Sequence, residues 1–133
     1  MLDRGSLSVA VIGAGSIGCY VGGLLVHAGD EVVFCGRERQ GVAIAQHGLT
    51  LQRLDGSSEK VDGASVFYVT HIDDLPAVDV ILVCVKSDDS ETVANKLFET
   101  INAATTIVSL QNGMDNAKLL SSALPNATVV PGM

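Results

Sequence analysis

Tryptophan is absent from this chain, and its two tyrosines and three phenylalanines make up only 4% of 133 residues. A core with so few rings has to be built from Val, Leu, Ile and Ala, the profile of a compact α/β protein. Cations are scarce as well: eight Lys and Arg stand against fifteen Asp and Glu, a net charge of −7. That balance argues against nucleic acid or an anionic membrane surface as the main partner. The three cysteines, Cys19, Cys35 and Cys84, form no CxxC or Cys/His metal pattern, and they are expected as buried small hydrophobes in a reducing, cytoplasmic compartment. No apolar run is long enough to span a bilayer. The leader-like stretch over residues 7–26 is interrupted by Gly13, Gly15 and Gly18, and Arg4 is offset by Asp3, so it is not read as a signal peptide. There is no linker, repeat or low-complexity segment, and the length suits one domain.

Glycine, by contrast, is plentiful, with 14 residues. Three of them fall at GxGxxG spacing in Gly13-Ala14-Gly15-Ser16-Ile17-Gly18, directly after the apolar run Ser8–Ile12 and before an apolar helical stretch. In a dinucleotide-binding βαβ unit the first glycine permits the tight turn, the second admits the pyrophosphate, and the third lets helix and strand pack closely. The pyrophosphate then sits at the positive end of the helix dipole. The pattern alone is weak in a glycine-rich chain; the strand before it and the helix after it supply the context it needs.

Patterning predicts strands at Ser8–Ile12 and Glu31–Cys35 flanking a helix over residues 16–28, with Gly29 as its stop. Gly22 and Gly23 inside that helix cost about 1 kcal/mol each in propensity, which implies close packing on the sheet. A short helix is expected over residues 40–46. Residues 49–54 alternate, Asp55-Gly56-Ser57-Ser58 makes a turn, and residues 66–69 form another extended run, together read as an inserted hairpin. The apolar run over residues 78–85, broken only by Asp79, suits a parallel strand buried on both faces. Ser87 is expected to cap a helix over residues 90–101, with Asp88, Asp89 and Glu91 near its positive end. A strand over 105–110, the turn Gln111-Asn112-Gly113, a helix over 114–124 and a strand from 128 complete the order. Strands alternating with helices predict a Rossmann-type, doubly wound, mostly parallel sheet with helices on both faces.

Ligands of such sheets bind beyond the carboxyl ends of the strands. Those ends deliver the glycine turn, Gly36-Arg37, Lys86-Ser87 and Gln111-Asn112-Gly113. An NAD site usually carries Asp or Glu after the second strand, whereas here Gly36 is followed by Arg37, a planar cation suited to the 2′-phosphate of NADPH. Arg37 read alone is a solvated turn charge; the glycine motif turns it toward the phosphate, with Glu38 pointing away. Lys86 either touches cofactor or substrate or counters Asp88 and Asp89, and Asn112 either faces the same crevice or simply serves its own turn. His27, His47 and His71 lack metal or triad spacing, His27 being expected on the helix surface and the other two in loops. Asp73-Asp74 and Asp88-Asp89 read as caps and solvated faces. Neither a catalytic constellation nor a metal site is assigned.

With these residues in hand the chain resembles the ketopantoate reductase (2-dehydropantoate 2-reductase) family in its N-terminal NADPH-binding domain. The matching stretches are Val11-Ile12-Gly13-Ala14-Gly15-Ser16-Ile17-Gly18, Gly36-Arg37, Val83-Cys84-Val85-Lys86-Ser87 and Leu110-Gln111-Asn112-Gly113-Met114, with the extended segment over residues 48–61. The resemblance implies that residues 13–18 hold the pyrophosphate, Arg37 the 2′-phosphate, and that Lys86 and Asn112 face cofactor and substrate. It implies an oxidoreductase that reduces ketopantoate to pantoate, a step toward pantothenate and coenzyme A, by hydride transfer with protonation of the alkoxide. The family's proton-donating lysine and substrate-binding acid lie in a helical C-terminal domain not found in these 133 residues, so the chain by itself is expected to bind NADPH without turnover. A truncated piece of a longer enzyme is the expectation; a stand-alone dinucleotide-binding or sensing module and the cofactor half of another NADP-dependent 2-keto acid reductase are the alternatives. The expected partners are a small 2-keto acid, the C-terminal domain and, through an apolar patch near residue 133, a second copy of the chain.

Overall fold

The computed structural model describes residues 7–101, 104–112 and 114–132. Residues 1–6 of the expected lead-in, Gly113 of the expected turn and the terminal Met133 lie outside the described residues. The strands are β1 (Ser8–Ile12), β2 (Glu31–Cys35), β3 (Leu49–Gln52), β4 (Ser58–Val61), β5 (Phe67–Val69), β6 (Val80–Val83), β7 (Thr106–Ser109) and β8 (Thr128–Pro131). The helices are α1 (Ser16–His27), α2 (Glu38–His47), α3 (Ser90–Thr100) and α4 (Met114–Ala123). Six strands pair in parallel in the order β5-β2-β1-β6-β7-β8. The winding direction reverses between β1 and β6, the switch point at which doubly wound sheets open a ligand crevice.

Alternation along the central strands builds two apolar layers. Ala10 and Ile12 of β1 join Ile81 and Val83 of β6 under Val93, Ala94 and Leu97 of α3 and Leu120 of α4. Val9 and Val11 point the other way, with Phe34 and Leu82, against Leu24 and Leu25 of α1 and Leu51 of β3. Strands buried on both faces read as continuous apolar runs, which is why residues 80–83 carry no polar alternation. Asp79 is admitted just before β6 because its carboxylate accepts from the backbone N–H and the hydroxyl of Ser8 at 3.1 Å each, tying together the amino ends of β1 and β6.

Several local expectations need correction. The hairpin is β3 with β4, antiparallel from Leu49↔Val61 to Gln52↔Ser58, around the Asp55-Gly56 turn. The extended run at residues 66–69 is not part of it: β5 pairs in parallel with β2 as an edge of the main sheet. Helix α2 is longer than residues 40–46, and His47 is its last residue rather than a loop residue. Ser87 does not cap α3; it opens a short 3-10 turn, Ser87–Asp89, and its hydroxyl accepts from Asn116 Nδ2 at 3.0 Å instead. Only Cys35 is buried, while Cys19 and Cys84 are half-buried. Among the described residues no helix is long and apolar enough to cross a membrane.

The glycines inside α1 meet the expectation of close packing. A Cβ on Gly22 would come 2.5 Å from the ring of fully buried Phe34, and one on Gly23 would come 2.6 Å from Leu51. Gly22→Val is therefore expected to cost about 1–3 kcal/mol by overpacking. Urea unfolding checks this, and a midpoint equal to that of the unsubstituted chain would contradict the packing described.

Candidate functional site

The turn between β1 and α1 is held by backbone approaches that leave no room for side chains. Gly13 has φ +105°, and a Cβ there would lie 2.8 Å from the carbonyl carbon of Cys84, just past β6. A Cβ on Gly18 would run into the carbonyl oxygen of Gly13, so the first turn of α1 rests directly on the glycine turn. Gly15 differs from both, with nothing within 4 Å of its would-be Cβ. Its open side lies at the start of α1, a helix end with no side-chain cap and no acid in its first turn. Uncapped N–H groups and the positive end of the dipole at an open glycine make a cradle for an anion such as a pyrophosphate. The tight turn, the open approach and the close helix contact are the three duties a dinucleotide motif assigns to its glycines.

Hydrogen bonds running past the strand ends bring the neighbouring loops level with this turn. Gly13 N–H donates to Cys35 O at 2.9 Å, Cys84 N–H to Ile12 O at 2.8 Å, and Gly36 N–H to Val69 O at 3.1 Å. The result is a cleft of about 600 Å³ at the carboxyl edge, bounded by Gly13, Ala14 and Gly15 on one side, by Gly36 and Arg37 on a second and by Val85 and Lys86 on a third. Arg37 and Lys86 are exposed, and neither has a carboxylate partner among the described residues. Lys96 also lines the cleft, 3.6 Å from Asp73. Three of the chain's eight Lys and Arg thus line one cleft, against the two carboxylates Asp73 and Asp89 on the same wall, and in an acidic protein that local cationic balance suits an anionic guest. Cys35 and Cys84 face the same space, with burial first and nearby charge second pushing each thiol up to about 11, so both are protonated at neutral pH and unsuited to nucleophilic work.

The fourth loop is placed differently from the other three. Asn112 is exposed at the end of β7, on the same edge, but it does not line the cleft. Its carbonyl accepts from Asn116 Nδ2 at 3.0 Å. Behind it lies a buried polar cluster. Gln111 Nε2 donates to Val85 O at 2.9 Å and to Ser90 Oγ at 2.7 Å, Ser109 Oγ donates to Gln111 Oε1 at 2.9 Å, and Ser90 Oγ donates to Asn116 Oδ1 at 2.9 Å. Among the described residues five polar side chains are buried, and four of them form this cluster; the fifth, Thr105, donates to Val78 O at the opposite edge. The cluster ties the loop carrying Lys86 to the loop carrying Asn112.

Of the residues singled out from sequence, Gly13, Ala14, Gly15, Arg37 and Lys86 meet in the cleft. Ser16, Ile17 and Gly18 stand behind them in α1, and Asn112 stands beside it. Sequence reading missed Gln40, Thr70, His71 and Lys96 on the cleft wall. Thr70 and His71 follow β5, so the carboxyl-edge rule would have found them had β5 been placed beside β2.

Comparison with known proteins shows the family and the fold. The family model for ketopantoate reductase PanE/ApbA matches residues 9–133. The chain is 32% identical over 127 residues to the 2-dehydropantoate 2-reductase of Halobacterium salinarum, covering 95% of this chain and 41% of that protein. It is 36% identical over 113 residues to that of Archaeoglobus fulgidus, covering 85% and 35%. Among solved structures, a PanE/ApbA family ketopantoate reductase from Ralstonia eutropha superposes with a TM-score of 0.82 at 34% identity, covering 94% of this chain and 40% of that one. D-mandelate dehydrogenase, solved with NADH, shares the fold with a TM-score of 0.77 at 23% identity. The chain thus spans 41% and 35% of the length of those two curated relatives.

Gln111→Leu removes three hydrogen bonds and is expected to cost about 1–3 kcal/mol for each buried group it orphans. Asn112→Ala, at an exposed side chain, is expected to stay within about 0.5 kcal/mol. Chemical denaturation of both variants checks the contrast, and equal losses would show that the cluster contributes nothing special.

Proposed function

The chain belongs to the ketopantoate reductase PanE/ApbA family, and on that premise we propose that it is the NADPH-holding part of a 2-dehydropantoate 2-reductase. The observation that carries the reading is the meeting, in one cleft at the carboxyl edge of the sheet, of an open glycine cradle and an arginine with no carboxylate partner among the described residues. The fold by itself does not choose between nicotinamide cofactors, since the D-mandelate dehydrogenase that shares it was solved with NADH. Here the position after β2 that a ribose-binding acid would hold is Gly36, followed by Arg37, which favours the extra phosphate.

When bound, NADPH supplies a hydride for the keto carbon of a 2-keto acid. The residues of this chain bind and orient. The turn at residues 13–18 and the start of α1 neutralise the pyrophosphate, and Arg37 pairs with the 2′-phosphate through its planar fork. Lys86, held at the cleft by the backbone beyond β6, supplies a second positive charge. Asn112, on the same edge but outside the cleft wall, is assigned to the substrate side. The proton for the forming alkoxide is assigned to a group beyond these 133 residues, in keeping with the share of the relatives' length that the chain spans.

Calorimetric titration of the chain with NADPH and with NADH tests this. Arg37→Ala is expected to weaken NADPH by about 10- to 100-fold, the worth of a charge-assisted contact, with NADH nearly unaffected. Equal losses for both cofactors would remove Arg37 from the phosphate.

A further inference from the structure

Beside Arg37 stands a residue that neither the glycine motif nor the carboxyl-edge rule singles out. Tyr68 lies on the edge strand β5, paired with Phe34 of β2, and its hydroxyl donates to the backbone carbonyl of Arg37 at 2.8 Å. Its ring passes Gly41 of α2, where an added Cβ would come 2.5 Å from the ring, and reaches Gly36. A Cβ on Gly36 would lie 2.5 Å from the Tyr68 hydroxyl and 3.0 Å from the Ala14 methyl of the glycine turn. The space that a side chain at position 36 would occupy is therefore already filled from two sides. That position is the end of β2, where an acid accepting from the ribose hydroxyls would stand.

We propose that Tyr68 sets the cofactor preference, because its hydroxyl fills the space a ribose-binding carboxylate at position 36 would need and fixes the backbone from which Arg37 reaches the 2′-phosphate. This rests on the reading of Arg37 as the 2′-phosphate ligand. Two effects act in the same direction. Exclusion of an acid removes the group that would bind NADH and repel a phosphate. The hydrogen bond holds Arg37 at the start of α2 in extended geometry, φ −71° and ψ 147°, so the guanidinium is presented from a fixed point. Burial raises the phenol to about 12, so the hydroxyl remains a donor throughout the working pH range. Tyr68 is a positioning residue, and its signature is the ratio of the two affinities rather than stability.

The test is calorimetric titration of the 133-residue chain with NADPH and NADH as probes, with melting temperatures recorded alongside. Tyr68→Phe keeps the ring and removes one hydrogen bond; the NADPH-to-NADH affinity ratio is expected to fall by about 3- to 10-fold. Gly36→Asp alone is expected to weaken both cofactors, because the carboxylate meets the phenol. Gly36→Asp combined with Tyr68→Phe is expected to bind NADH more tightly than Gly36→Asp does. A ratio unmoved by Tyr68→Phe, with Arg37→Ala lowering it, would overturn the role of Tyr68 and leave that of Arg37 standing. Gly36→Asp binding NADH as well as the double variant would show that the hydroxyl excludes nothing. A ratio unmoved by Arg37→Ala would overturn the 2′-phosphate reading and this inference with it.

Discussion

Three backbones meet where β1 turns into α1, and the rest of the site depends on their contact. Gly13 abuts the carbonyl of Cys84 beyond β6, and Gly18 abuts the carbonyl of Gly13. Any side chain at either position would push the strand end, the turn and the helix apart. With the contact intact, the uncapped start of α1 directly follows the cleft-lining Gly13, Ala14 and Gly15, and Lys86, two residues past Cys84, comes to another wall of the same cleft. The parallel pairing of β1 with both β2 and β6 is what makes this possible, since it delivers three loops to one edge at one level.

Around that contact the chain separates two kinds of order. The sheet is held by aliphatic layers on both faces, which give cohesion without direction. Direction comes from the polar groups at the carboxyl edge. Burying Ser90, Ser109, Gln111 and Asn116 together is costly unless each finds its partner, and each does. A satisfied network of this kind fixes the separation of the Lys86 and Asn112 loops, which apolar packing would leave free to slide. Tyr68 does the same for Arg37 on the other side of the cleft, with one hydrogen bond to a carbonyl.

Much of this was legible in the residue order. The alternation of strands and helices, the buried run before Lys86, the glycine turn and the tight packing implied by Gly22 and Gly23 all have local causes, and all hold in the structure. What escaped was non-local. Strand β5 is three residues long with Phe67 exposed, so it carries no period that tells an edge strand from a hairpin arm; its place is decided by pairing with β2 across more than thirty residues. Ser87 has the composition of a cap, but its hydroxyl is taken by Asn116 from α4. Asn112 faces the expected edge, and only the three-dimensional course of the cleft shows that the wall ends before it. Gln111 gave no signal as a network hub, because a glutamine before Asn-Gly reads as turn chemistry until the strand beside it is known.

The central proposal is that one cleft holds both the pyrophosphate of NADPH, on the glycine turn, and its 2′-phosphate, on Arg37. Phosphorus NMR of NADPH titrated with the chain tests it most directly, because the two groups give separate resonances. The account predicts that both shift on binding and that the 2′-phosphate, whose second pKa is about 6 when free, titrates lower in the complex as the guanidinium favours its dianion. A pyrophosphate signal that shifts while the 2′-phosphate titrates as it does in free NADPH would contradict the account.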